Sequence, residues 1–122
     1  MSVGQFVFML HSHLPYYRKA GMWPFGEENL YECMAETYIP LLNAISELYD
    51  EGIKAKLTVG ITPILAEQLN DEHLKHGFVK YLDSRIAQVT KDLERYPDPK
   101  VAHSQHLKYL AKYYFDWFNH IK

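Results

Sequence analysis

Gln5–Leu10 (QFVFML) is an almost unbroken apolar run, rich in aromatic and β-branched side chains. Such a run predicts a β-strand buried on both faces, the kind that occurs in parallel sheets. A second run, Ala55–Ile61 (AKLTVGI), predicts a second strand. Between them the period becomes helical. From Glu27 to Glu51, Leu30, Met34, Tyr38, Leu41, Leu42, Ile45, Leu48 and Tyr49 fall on one stripe. Glu27 and Glu28 suit a helix start, Gly52 suits the position just past a helix end, and Pro40 predicts a kink or the start of a second helix.

Beyond the second strand, Thr62-Pro63 supplies an N-cap followed by proline at the first helical position. Asp71 to Arg95 predicts a long helix with Leu74, Phe78, Leu82, Ile86, Val89 and Leu93 on one side, ended by Pro97 and Pro99. Val101 to Lys122 predicts another, with Leu107, Leu110, Ala111, Tyr114, Phe115, Phe118 and Ile121 at helical spacing. No repeat, low-complexity stretch or domain boundary is evident.

Strand, helix, strand, helices is the order of right-handed βαβ units on a parallel sheet, so the fold class is α/β. Two parallel strands alone leave edges and faces uncovered. No closing strand follows the last apolar helix, whose face around Tyr114, Phe115 and Phe118 is expected to lack partners. The expectation is the opening portion of a larger α/β barrel.

The 122 residues suffice for one domain with a core. A formal charge of −2 gives no global electrostatic reason to expect nucleic acid or an acidic membrane surface as a partner. No apolar stretch approaches the ~20 residues that span a bilayer. Met1–Gln5 carries neither the basic region nor the cleavage site of a secretory leader. The single cysteine, Cys33, excludes an internal disulfide and reads as a small buried hydrophobe. A reducing, cytoplasmic setting is expected. Aromatic residues reach 15%, which serves either core packing or an aromatic-lined site for a flat, partly apolar ligand such as a sugar.

The most informative stretch follows the first strand: His11-Ser12-His13-Leu14-Pro15-Tyr16. In parallel barrels, polar residues at the C-terminal ends of strands face the active site. Two residues apart on extended backbone, His11 and His13 point the same way. Three readings stand side by side. One histidine caps a loop while the other packs; or the pair ligates a metal; or both donate hydrogen bonds to substrate hydroxyls. A metal site needs three or more ligands, and no third stands at suitable spacing. The other histidines, His73, His76, His103, His106 and His120, fall in helical patterns and are expected on solvated faces.

Pro15 to Gly26 is a loop punctuated by proline and glycine. Trp23 sits within it, either as an exposed platform that stacks on sugar C–H faces or as a loop anchor packed at the rim. Tyr16 and Tyr17 share that potential, and Arg18 can orient the loop by pairing with a carboxylate. The glutamates lie mainly in helical patterns, where a solvated helix face accounts for them better than catalysis does.

His11-Ser12-His13-Leu14-Pro15-Tyr16-Tyr17-Arg18 resembles the first signature motif of glycoside hydrolase family 57. Gly21–Glu32 (GMWPFGEENLYE), Met34–Leu42 (MAETYIPLL) and Leu57–Leu69 (LTVGITPILAEQL) are similar, in the correct order, to segments of the family's branching enzymes and related α-amylases. The resemblance is close over Phe6–Leu69 and general in the remaining helices.

It implies that residues 1–122 are the N-terminal βαβα portion of an incomplete (β/α)7 barrel that acts on α-1,4-glucans. It also implies retaining double displacement without metal or other cofactor, by a glutamate nucleophile and an aspartate acid/base. The family places both carboxylates on later strands, so no catalytic residue is expected here, and the remainder of the catalytic domain is the expected partner. His11, His13, Tyr16 and Trp23 are the expected substrate-binding residues. Branching is the leading activity, with α-amylase or 4-α-glucanotransferase as the alternatives within the family. A metal-dependent hydrolase and a non-catalytic carbohydrate-binding module are the alternatives outside it.

Overall fold

The computed structural model describes residues 3–95 and 102–121, which leaves Pro97, Pro99, Val101 and Lys122 outside the described residues. Two strands, β1 (Met9–Ser12) and β2 (Thr58–Ile61), pair in parallel, as the strand–helix–strand order predicts. Met9 lies opposite Thr58, Leu10 opposite Val59, His11 opposite Gly60 and Ser12 opposite Ile61. Backbone bonds from Thr58 N–H to the Phe8 carbonyl (3.0 Å) and from Thr62 N–H to the Ser12 carbonyl (3.1 Å) bracket this ladder.

The first strand therefore begins later than its apolar run and takes in His11. A ladder extends only where a neighbour supplies partners, and β2 supplies them from Thr58 onward. Nor are the faces of the run buried: Phe6, Val7 and Met9 are 89%, 72% and 65% exposed. This corrects the expectation of a strand covered on both sides, because a two-stranded sheet has too little packed around it.

Between the strands run α1 (Glu27–Cys33), a π-helical turn (Met34–Tyr38) and α2 (Ile39–Asp50). Pro40 occupies the first turn of α2. Its ring has no N–H to give and crowds the carbonyl four residues back, so the chain widens ahead of it into the π turn. The end of α2 forms a Schellman motif: Gly52 N–H bonds the Tyr49 carbonyl (3.0 Å) and Ile53 N–H the Leu48 carbonyl (2.9 Å). Gly52 adopts φ +76, which needs the freedom of glycine.

Pro63 opens α3 (Pro63–Asn70), and Thr62 precedes it in extended conformation. The Thr62 carbonyl accepts Ala66 N–H at 3.0 Å, but its buried hydroxyl makes no cap bond. The backbone thus supplies the helix start that the sequence assigns to a Thr cap. Asp71 caps α4 (Glu72–Arg95) in the ordinary way, its Oδ1 accepting Leu74 N–H at 3.1 Å.

The chain divides into two compact units, Met1–Leu74 and Lys75–Lys122. The division falls inside α4, so no glycine- or proline-rich linker marks it in the sequence. Leu30, Tyr31, Ala35, Leu65 and Leu74 are the buried hydrophobic residues of the first unit. In the second, Phe78, Tyr81, Leu82, Val89, Ala111 and Phe118 are buried. Arg85 lies 4.8 Å above the Tyr81 ring, and along α5 (Ala102–Ile121) Tyr114 stacks on Phe118 at 5.9 Å. Phe118 is thus covered, contrary to the expectation for its face, whereas Tyr114 is 41% exposed.

Candidate functional site

His11 is the third residue of β1, and His13 follows one residue after its end. Side chains on extended backbone alternate faces, so positions 11 and 13 fall on the same side. Their rings lie 5.4 Å apart between centroids, tilted by 34°, and both side chains are exposed. Opposite His11 stands Gly60, where an added Cβ would come within 3.3 Å of His11 Nδ1. A small residue on β2 leaves room for the ring to lie over the neighbouring strand. Tyr16 is 60% exposed and Trp23 79% exposed. Trp23 is therefore no packed anchor within the described residues.

The loop that carries Tyr16 and Trp23 is tied down by polar side chains from distant elements. Gln68 on α3, only 1% exposed, accepts Tyr17 N–H at 2.6 Å and donates to the Pro15 carbonyl at 2.9 Å. Both ends of its amide are used, which removes the cost of burying it. Arg18 pairs with Asp71 at 2.6 Å, the loop-orienting carboxylate expected for it. Partial burial disfavours the Asp71 charge, but Leu74 N–H and the Arg18 guanidinium outweigh it and hold the carboxyl below its ordinary range.

Glu27 departs furthest from expectation. Rather than facing solvent on α1, it is 7% exposed. Its Oε1 accepts Lys19 N–H at 2.7 Å and lies 2.9 Å from His73 Nε2, while Oε2 accepts the Tyr31 hydroxyl at 3.0 Å. Burial opposes the charge, yet the Lys19 N–H, His73 and Tyr31 together keep the carboxyl below its ordinary range. The same contact pushes the Tyr31 hydroxyl well up, through burial first and the adjacent carboxylate second. His73, expected on a solvated face, is half-exposed and bonded.

Beside the end of β1, a pocket of about 330 Å³ is lined by Ser12, Tyr38, Leu41, Leu42, Val59 and Ile61 among others. Its walls are nearly all hydrocarbon. Among the described residues, no group of three His, Cys, Asp or Glu side chains comes together where an ion could sit. The exposed histidine pair, the exposed tyrosine and the exposed tryptophan can offer hydrogen bonds and flat apolar surface to a polyhydroxylated ligand.

Comparison with known proteins bears on the same elements. The chain is 43% identical over 114 residues to a 1,4-alpha-glucan branching enzyme of Thermococcus kodakarensis, covering 93% of this chain and 17% of that protein. It superimposes on a GH57-type branching enzyme of Pyrococcus horikoshii with a TM-score of 0.80 at 42% identity, covering 93% of this chain and 21% of that one. The alpha-amylase AmyC of Thermotoga maritima gives a TM-score of 0.74 at 31% identity, covering 94% of this chain and 21% of that one. The chain thus spans about a fifth of the solved relatives it matches. The sequence pattern of glycosyl hydrolase family 57 matches residues 7–121 and so takes in both units and the strand-end histidines; this chain belongs to that family.

Proposed function

We propose that this chain is the N-terminal βαβα portion of a (β/α)7 catalytic barrel in a 1,4-α-glucan branching enzyme. The reading is carried by the 42% identity to a branching enzyme across 93% of the chain, together with an exposed histidine pair at a parallel strand end. His11 and His13 hydrogen-bond substrate hydroxyls near the cleaved bond. Trp23 stacks on a glucose unit further along the chain, and Tyr16 adds a second aromatic face with a hydroxyl. The cell compartment in this reading is the cytoplasm, and the product is an α-1,6-branched glucan of the glycogen type.

In retaining transfer, a carboxylate attacks the anomeric carbon and a second carboxyl protonates the leaving oxygen. The 6-hydroxyl of another glucan chain then displaces the enzyme. Neither strand here has an acidic residue at its C-terminal end, and Glu27 is occupied by three donors. Both carboxylates in this reading therefore come from the remainder of the catalytic domain. The protein's part in this segment is to hold and orient glucan.

The test is incubation of the complete enzyme with amylose, followed by a count of new α-1,6 linkages and reducing ends. New α-1,6 linkages are expected, and His11→Ala should lower kcat/KM by at least about tenfold, the loss of a good hydrogen bond to substrate. Reducing ends without branches would move the reading to α-amylase, the activity named for AmyC. Activity abolished by a chelator and restored by zinc would move it to a metal-dependent hydrolase.

A further inference from the structure

We propose that Glu27 is a positioning residue for substrate: it closes the loop that offers Trp23 and Phe25 to the glucan, without itself touching the glucan. This rests on the reading of Trp23 as a glucan platform. Glu27 makes the two shortest closing ties, and Glu28 N–H adds a longer one to the Met22 carbonyl at 3.3 Å. The Glu27 backbone N–H bonds the Gly21 carbonyl at 2.8 Å, and its side chain holds Lys19 N–H at 2.7 Å. The same carboxylate is fixed from behind by Tyr31 and His73. Both ends of the 19–27 loop are thereby clamped against α1 and the first turn of α4.

The loop needs such a clamp. Lys19 (φ 62), Gly21 (φ 86) and Phe25 (φ 61) all adopt left-handed backbone. For Lys and Phe that region is disfavoured, so the conformation persists only when its surroundings impose it. Closure is also tight, since a Cβ on Gly26 would stand 2.1 Å from the Gly21 carbonyl oxygen. Away from the clamp, Trp23 is 79% and Phe25 82% exposed. Glycine or asparagine would adopt the Phe25 backbone at lower cost. The ring fills no core either, so what it brings is an outward aromatic face of the kind that stacks on sugar C–H groups.

Two measurements on the complete enzyme test this: hydrogen exchange of the 19–27 amides, and KM against kcat on long amylose. Glu27→Ala should lose protection across 19–27 and raise KM about tenfold, equivalent to ~1.4 kcal/mol, with kcat little changed. Glu27→Gln keeps an acceptor for Lys19 N–H and should stay close to wild type. Gly26→Ala leaves the carboxylate in place yet should reproduce the alanine phenotype. In a background carrying both Trp23→Ala and Phe25→Ala, Glu27→Ala should add no further rise in KM. Should Glu27→Ala fail to fold, Tyr31→Phe, which removes one tie, must raise KM by a smaller amount.

Intact protection in Glu27→Ala would overturn the clamp. Lost protection with unchanged KM, where Trp23→Ala alone raises KM, would overturn the substrate role of Glu27 while leaving the reading of Trp23 standing. An unchanged KM in Trp23→Ala as well would overturn both.

Discussion

The loop that follows β1 and the sheet that carries it solve opposite problems. Between Pro15 and Glu27 the exposed aromatic tip rests on polar groups, the buried Gln68 and Glu27 and the half-buried Asp71, and each finds partners within the chain. Across Phe6, Val7, Phe8 and Met9 the side chains are apolar and exposed. Hydrogen bonds are short-range and saturable, so a few residues from α1, α3 and the start of α4 complete them. Hydrophobic burial scales with covered area, and two strands cannot supply that area to themselves. Polar fixation of the loop is thus finished inside this segment, while cover for the sheet is not.

The largest effect is expected when the segment has to work alone. The isolated 122-residue chain should show no branching or hydrolysis of amylose, because retaining cleavage needs two carboxyl groups about 5–5.5 Å apart across the bond. It should also self-associate through Phe6, Val7 and Met9, visible as concentration-dependent sedimentation. Turnover comparable to a full-length relative would place the catalytic groups inside what the proposed reading makes the substrate-holding part.

Next in size is Gln68→Ala. It strands Tyr17 N–H and the Pro15 carbonyl, so the chain should lose ~1–3 kcal/mol in denaturant unfolding. A loss below about 0.5 kcal/mol, typical of surface changes, would mean that the loop is held without Gln68.

Much of this was legible in the sequence, and the remainder was hidden for physical reasons. The change of period located α1 and α2, and the two apolar runs located the strands and their parallel pairing. His11, His13 and Trp23 stood out because their residue types at a strand end or in a Gly/Pro loop are unusual. Gln68 and Glu27 did not stand out. Each sits in a helical pattern where a solvated polar residue is the ordinary outcome, and the Gln68 partners lie 51 and 53 residues away. Burial of a polar side chain is a tertiary fact, decided by which distant donors arrive. The one hint was Arg18, whose need for a carboxylate pointed to a tie and was met by Asp71. Strand limits and face burial were misread because an apolar run reports a preference for cover, whereas the ladder extends only where a neighbour exists.

Acid offers a gentler probe of the polar half. The Glu27 carboxyl is held below its ordinary range in the folded chain. The unfolded chain therefore takes up this proton at higher pH than the folded one. Its contribution is fully present above the ordinary carboxylate range and disappears as pH falls through the folded value. In denaturant unfolding at stepped pH, the advantage of wild type over Glu27→Gln should shrink on acidification and level off at neutral pH. An advantage that grows in acid would mean that the carboxyl is protonated in the native loop.

In the isolated chain, the smallest effect on stability belongs to the apolar half. Phe6 is 89% exposed, and the Phe8 ring lies 6.5 Å from it between centroids. Phe6→Ser in the isolated chain removes little packing, so its stability should stay within about 0.5 kcal/mol of wild type while self-association weakens. In the complete enzyme of the proposed reading, the same ring sits on a barrel strand with neighbours on both faces. Truncation there should cost ~3–5 kcal/mol, the range for a core phenylalanine. The two backgrounds thus measure how much cover the rest of the enzyme provides to this strand. A small effect in both would mean that the run stays exposed in the longer protein, and its aromatic character would then need an explanation other than a barrel core.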